Sequence, residues 1–247
     1  MERIRFLVTV KTYPTPSIMH LETVCTGGVT EDGRWIRLYP VPFRYWDRGQ
    51  QYRLYDWIDV SARKRPAEKD RRKESFEPAS NVDLKVVGHV GTERNWTERK
   101  RIILPLARPS IEALLENYEL DGESLGIVKP AEVTDVRVEK DNTDWSPEHQ
   151  RLFAQMRLFG PQPKPLEKLR HRFRYCFRCD DRGCTGHNMQ ITDWGLCWLY
   201  LKTLRDEGEV AAVEKTKQKC WQMVAEDKDT YLYVGTVYPK PSFIILV

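Results

Sequence analysis

The sequence predicts an α+β protein of two parts, on three observations. The first half of the chain breaks into short β-branched and aromatic runs punctuated by Pro and Gly, the pattern of a small β-rich domain. Amphipathic stretches with helix-capping residues come later, at residues 110–120, 146–160 and from 194 onward. Between the last two lies "CFRCDDRGCTGH", residues 176–187, which packs three of the chain's six cysteines and one of its five histidines into one short polar loop.

"RIRFLVTVKTY" reads as the first strand and stops at Pro14 and Pro16, which cannot extend a paired ladder. "LETVCTGGV" and "RWIRLYPV" flank the turn "TEDG" and form a hairpin. Alternation in the second run sets Trp35, Arg37 and Tyr39 on one face and Ile36, Leu38 and Val41 on the other, so one face packs the core and the other is a binding platform. Further strands are expected at 52–62 and 82–91, on either side of a charged loop over 63–80. "SIEALLENYEL" is a helix that Ser110 caps, with Ile111, Leu114 and Leu115 on one side. "GIVKPAEVTDVRVEK" returns to strand, and "SPEHQRLFAQMRLFG" is a helix with Ser146 as N-cap, Pro147 at its first position and Gly160 as its stop.

"GPQPKP", residues 160–165, is stiffened by three prolines and marks the expected boundary, between a domain over 1–159 and one over 166–247. Beyond it come the strand "HRFRYCF", the cysteine cluster, a helix from Trp194, a second from Glu209 to near Glu226, and the closing hairpin "TYLYVGTVYPKPSFIILV".

At 247 residues the chain can bury a real core without disulfides. Its 40% hydrophobic and 31% charged residues are a globular balance. Residues 1–20 do not read as a signal peptide and no apolar stretch is long enough to span a bilayer. The expected location is the cytoplasm, where clustered thiols are metal ligands more often than disulfides.

Net charge is +4 and the pI about 8.7. From Arg34 to Arg53 five arginines (Arg34, Arg37, Arg44, Arg48, Arg53) stand against one acid, Asp47, interleaved with Trp35, Tyr39, Phe43, Tyr45, Trp46 and Tyr52. Base stacking combined with phosphate contact requires that mixture, so Arg34, Trp35, Arg37, Tyr39 and Arg44 are the expected nucleic-acid surface. Basic runs at 63–73 and 164–178 add to it. The same Trp and Arg enrichment also suits a protein interface, which makes an interaction adaptor the competing reading.

Zinc takes four tetrahedral ligands from Cys thiolate and His imidazole, and Cys176, Cys179, Cys184 and His187 supply them as C-x2-C-x4-C-x2-H. Asp180, Gly183 and Gly186 let so short a loop turn back on itself. Cys176 sits in an alternating strand, and if it points to the core the fourth place falls to Cys197, Cys220 or a distant His. Cys25 belongs to the core. Three thiolates and one imidazole close the coordination sphere, so a structural zinc is expected rather than a catalytic one. The enzymatic alternative is a metal-dependent nuclease using His187 and Asp193, although Asp193 has a simpler role as N-cap of the helix from Trp194. No phosphate loop, dinucleotide fingerprint, nucleophile elbow, HExxH or zinc-deaminase pattern occurs. His89 reads as a satisfied barrel histidine.

"VKTYPTPS", "ETVCTGGV", "GRWIRLYPVPFRYW", "YDWIDV", "SLGIVKP" and "CTGHNMQITDW" resemble an uncharacterised prokaryotic protein family whose "G-W-I-R" segment lies in a small β-barrel. The resemblance implies a small β-barrel, OB-like or PUA-like, and with the residue reading above the expected fold is α+β: a small mixed β-barrel followed by a zinc-stapled α+β domain. Barrels of these types commonly bind nucleic acid, and some hold a flipped base in an aromatic pocket.

Overall fold

A computed structural model describes residues 1–79, 83–155, 158, 160–237 and 242–247. The N-terminal part is a barrel, as expected. Its strands are β1 (Glu2–Lys11), β2 (Thr15–Ser17), β3 (Leu21–Val29), β4 (Trp35–Val41), β5 (Asp56–Lys64), β6 (Ser75–Pro78) and β7 (Leu84–His89). They run in the order β1-β3-β4-β6-β5, and β5 pairs back onto β1, so five strands close on themselves. The β4–β6 pair is parallel and the others antiparallel, which makes the barrel mixed. β2 and β7 extend the sheet from β3 and β5. Closure leaves few free edges and turns Phe6, Val8, Val24, Ile36, Leu38, Ile58 and Val60 into one core. Close approach of β1 and β3 depends on Gly28, where a Cβ would lie 2.0 Å from the Leu7 carbonyl oxygen.

The chain leaves the barrel through α1 (Glu93–Ile103), a helix the sequence reading missed because six of its eleven residues are charged and its apolar residues do not form a stripe. Arg94, Asn95 and Trp96 at its start have left-handed backbone, with φ between 51° and 65°. Next come β8 (Ala107–Arg108), α2 (Ile111–Asp121), β9 (Leu125–Val128), β10 (Pro130–Lys140), α3 (Pro147–Ala154), β11 (His171–Cys179), β12 (His187–Gln190), α4 (Trp194–Glu207), α5 (Glu209–Met223), β13 (Leu232–Thr236) and β14 (Phe243–Ile245). They form two small sheets, β10-β11-β12 and β14-β13-β9-β8.

The predicted caps are in place: Ser110 accepts from the Ala113 amide, Ser146 from His149, and Asp193 from Leu196 at 2.6 Å. α3 ends at Ala154 rather than running to Gly160, and residues 156, 157 and 159 lie outside the described residues, as does the tip of the closing hairpin, 238–241.

The proline-rich segment 160–165 runs between β10 and β11, which are antiparallel neighbours from Pro130↔Cys179 to Lys140↔His171. It therefore connects two strands of one sheet. One core, including Leu114, Val136, Phe173, Tyr175, Phe177, Tyr200 and Ile245, gathers side chains from both sides of that segment. Among the described residues no helix is long and apolar enough to cross a membrane.

The two parts share a buried seam, where Val10, Val29 and Trp35 of the barrel pack on Leu125, Ile127, Tyr233 and Leu246. Ser124 is its polar centre. Arg37 donates to the Ser124 carbonyl at 3.1 Å and hydroxyl at 3.0 Å, while the Glu74 carboxylate accepts from the Ser124 amide at 2.9 Å and from its hydroxyl.

A candidate metal centre and the exposed aromatic surface

β11 alternates except at Cys176, which is buried between Tyr175 and Phe177, and side-chain parity along the strand decides which cysteines meet. Phe173, Tyr175, Phe177 and Cys179 face the second core, and the intervening Arg172, Arg174, Cys176 and Arg178 occupy the opposite face. Cys179 ends the strand, Cys184 lies in the loop, and His187 opens β12. Glu112, in the first turn of α2, closes the group: the donor atoms of Glu112, Cys179, Cys184 and His187 all lie within 4.8 Å of one another. These four residues could bind a metal ion.

The expected ligand Cys176 is not among them. A C-x2-C pair within a strand sends its thiols to opposite faces, because the side-chain period is two and the spacing is three. Cys197 and Cys220, the named substitutes, also stay out of the cluster; Cys220 lies in the core, where burial pushes its thiol up to about 12. Glu112 went unread because an acid in a helix's first turn has a complete explanation in the helix dipole.

The loop is tied down from several directions. Asp181 accepts from the Gly183 amide at 2.8 Å and from the Ser110 hydroxyl at 2.8 Å, which links the loop to the cap of α2. Gly186 has φ of 94°, a left-handed turn that favours glycine. The Cys179 amide points at the Cys184 sulfur at 3.2 Å, and His187 Nε2 lies 3.3 Å from that sulfur and 3.5 Å from Glu112 Oε2. For Zn–S near 2.3 Å and Zn–N near 2.0 Å, a tetrahedron puts sulfur and nitrogen ligands about 3.5 Å apart, so this geometry suits one small ion.

Electrostatics agree. Burial pushes the Cys179 thiol up to about 11, with the neighbouring Cys184 and Glu112 adding to the shift, and burial lowers the His187 pKa. Glu112 Oε2 is buried with no hydrogen-bond partner. A bound cation would supply the charge that holds the thiols as thiolates and would give that oxygen its partner.

The nuclease pair is not assembled: His187 turns into this cluster, whereas Asp193 is outside it and caps α4.

The expected platform on β4 is not assembled either. Trp35 is 8% exposed and meets the Tyr233 ring edge-on, and Arg37 is 3% exposed, bound to Ser124 and 3.0 Å from Cys25 Sγ. The face that alternation left for binding is covered by the second part of the chain, so both faces of β4 are buried. Arg44 donates to the buried Glu22 carboxylate at 2.7 Å and to the Pro165 and Lys164 carbonyls, pinning the proline-rich segment to the barrel. Tyr39 is half-buried under the Arg65 guanidinium, and Arg34 is exposed and paired with Asp32. His89 is satisfied by Asp56 at 2.7 Å.

An exposed aromatic–cation surface lies instead where β5 meets α1. The Arg99 guanidinium stacks 3.7 Å over the Tyr55 ring and 4.9 Å from the Trp96 ring, and its Nε donates to the Val90 carbonyl at 2.9 Å. Trp96, presented by the left-handed turn, is 47% exposed. The available signal was "RNWTERKR", a lone Trp in a charged run.

Residues 107–247 match the family described as domain of unknown function DUF8757, and residues 2–105 match a second, domain of unknown function DUF8758. No curated protein matches the chain. A similar solved structure is described as a murine DNA binding protein bound with double-stranded DNA; it has a TM-score of 0.33 and 14% identity, covering 78% of this chain and 74% of that one.

Proposed function

We propose that this chain, which belongs to the DUF8757 family, is a nucleic-acid-binding protein whose second part is stapled by a structural zinc ion. The observation that carries the nucleic-acid reading is the Tyr55–Arg99–Trp96 stack. It offers an exposed ring and a guanidinium already fixed by Val90, the combination on which an unpaired base stacks with little ordering cost. Three consecutive non-glycine residues with left-handed backbone are costly, and such strain is concentrated at functional sites.

Zinc is the ion that the donor set favours. Two thiolates and an imidazole are soft or borderline ligands, and with the Glu112 carboxylate they fill four positions and leave none for water. The role is therefore structural, and zinc-bound thiolates fit a reducing cytoplasm. We place the boundary between the two units near residue 106, where the two family matches meet.

The test is a gel-shift panel of single- and double-stranded DNA and RNA across a salt series, with metal analysis of the same protein. Trp96→Ala is expected to weaken single-strand binding by about 1–3 kcal/mol with no change in melting temperature, and binding should fall steeply with salt. Salt-insensitive capture of a protein would favour the adaptor reading, for which Val86 and Val87, 41% and 46% exposed on β7 at the end of the sheet, are the supporting observation.

A further inference from the structure

A crevice of about 560 Å³ opens between the barrel and the second part, within the size range of small-molecule sites. Its walls include Trp35, Phe76 and Leu106, and it shares no residue with the Tyr55–Arg99–Trp96 surface or the metal cluster.

Two of its lining residues carry unfilled hydrogen-bonding atoms. Glu74 is 2% exposed, and its Oε1 is used by the Ser124 amide and hydroxyl while Oε2 is buried with no partner. Arg108 Nε is likewise buried with no partner. Both residues line the crevice, and a ligand that brought both an N–H and an anionic oxygen would fill the open acceptor and the open donor.

Charge narrows the class. Arg34, Lys64, Lys73 and Arg108 line the crevice against three carboxylates, Glu2, Glu74 and Glu123. Lys73 and Arg108 already hold Glu123, at 2.9 and 3.4 Å. Lys64 lies over the Phe76 ring at 4.9 Å, and burial lowers its pKa against the pull of Glu74, Asp70 and Glu2. The crevice therefore has an acidic, dry interior position and cations around it.

We infer that this crevice binds a nucleoside monophosphate of the guanine type, with the base edge on Glu74 and the phosphate on Lys64, Arg108 and Arg34. Guanine carries N–H donors at N1 and N2, one of which can fill the single open oxygen, Glu74 Oε2, and a phosphate accepts from lysine and arginine together. Apolar walls beside these groups supply the dry surroundings in which such bonds discriminate. This site stands apart from the polynucleotide surface, so either can fail without the other.

Isothermal titration of the full chain with GMP, guanosine and inorganic phosphate tests it. GMP is expected to bind, with guanosine and phosphate each about tenfold weaker or more, since each keeps one half of the contacts. Lys64→Ala and Glu74→Gln should each weaken GMP about tenfold, and Trp96→Ala should leave it unchanged. Lys64 is exposed, so Lys64→Ala decides the matter even if the buried Glu74 substitution disturbs folding, which circular dichroism reports. No GMP binding up to millimolar concentration, or GMP binding that Lys64→Ala leaves intact, overturns the inference.

Discussion

The barrel and the β10-β11-β12 sheet hold their strands by different means. In the barrel, β5 pairs back onto β1, so the sheet needs nothing outside itself to complete its ladder, and its core is one apolar cluster. The three-stranded sheet is open, and its β11–β12 turn is a run of Asp, Arg, Gly, Cys and Thr with few apolar side chains to bury. There Cys179, Cys184 and His187 meet Glu112 of α2, four residues that could hold a metal ion between the turn and the helix. Where hydrogen-bond closure is available, apolar packing completes the fold; where it is not, a point attachment among polar residues takes its place.

The largest expected effect breaks the second mode alone. Chelation of the metal, or Cys184→Ser, should remove about 4 kcal/mol or more and lower the melting temperature by about 10 °C. Amide exchange should then rise in α2, β11 and β12 and stay slow in β1, β3 and β5. Uniform loss of protection would show that the two parts unfold as one.

Gly28→Ala is the converse. The added Cβ would meet the Leu7 carbonyl oxygen at 2.0 Å, so β1 and β3 must separate, at about 3 kcal/mol. Metal content should be retained, which elemental analysis of the variant checks.

A smaller, pH-dependent effect belongs to Asp141, where β10 ends. Burial acts to raise its pKa, but hydrogen bonds from Lys168 and Arg172 outweigh it and hold the carboxyl down to about 2. The folded value lies below the unfolded one, so the stabilisation is present above the ordinary carboxylate range and is lost as pH falls through about 4 toward about 2. Asp141→Asn should cost about 1–2 kcal/mol near neutral pH, and the gap between variant and wild-type melts should close in acid.

Cys176→Ser should do least, about 1 kcal/mol or less in stability with metal content unchanged, because that thiol lies on the face of β11 away from the cluster. Loss of metal from this variant would restore the C-x2-C ligand set.

Much of this was legible from residue order. Four of the five closing strands (β1, β3, β4 and β5), the hairpin about "TEDG" and the caps at Ser110, Ser146 and Asp193 follow from local chemistry, and three of the four cluster residues stand within nine positions of one another, whereas β6 lies within 63–80, which read as a charged loop, and is a strand only because β4 and β5 pair with it. The fourth did not, because Glu112 is 67 residues from Cys179 and nothing in its own segment marks it as a ligand. The β4 platform was misjudged for a related reason. Period-two alternation assigns residues to two faces, but it does not say which of those faces another part of the chain will cover.

By itself, the sequence determined what most segments can be: strand or helix, where they start and stop, and that a tight polar loop carries thiol and imidazole side chains of the kind a metal ion takes. Those are consequences of backbone sterics, side-chain period and capping, all of which act over a few residues. Tertiary structure alone decided that Arg37 binds Ser124 in a buried seam rather than a phosphate in water, that Glu112 rather than Cys176 completes the cluster, and that Glu74 and Arg108 face one crevice from opposite parts of the molecule. These depend on which distant surfaces meet, and burial reverses the energetic meaning of a charged side chain once they do.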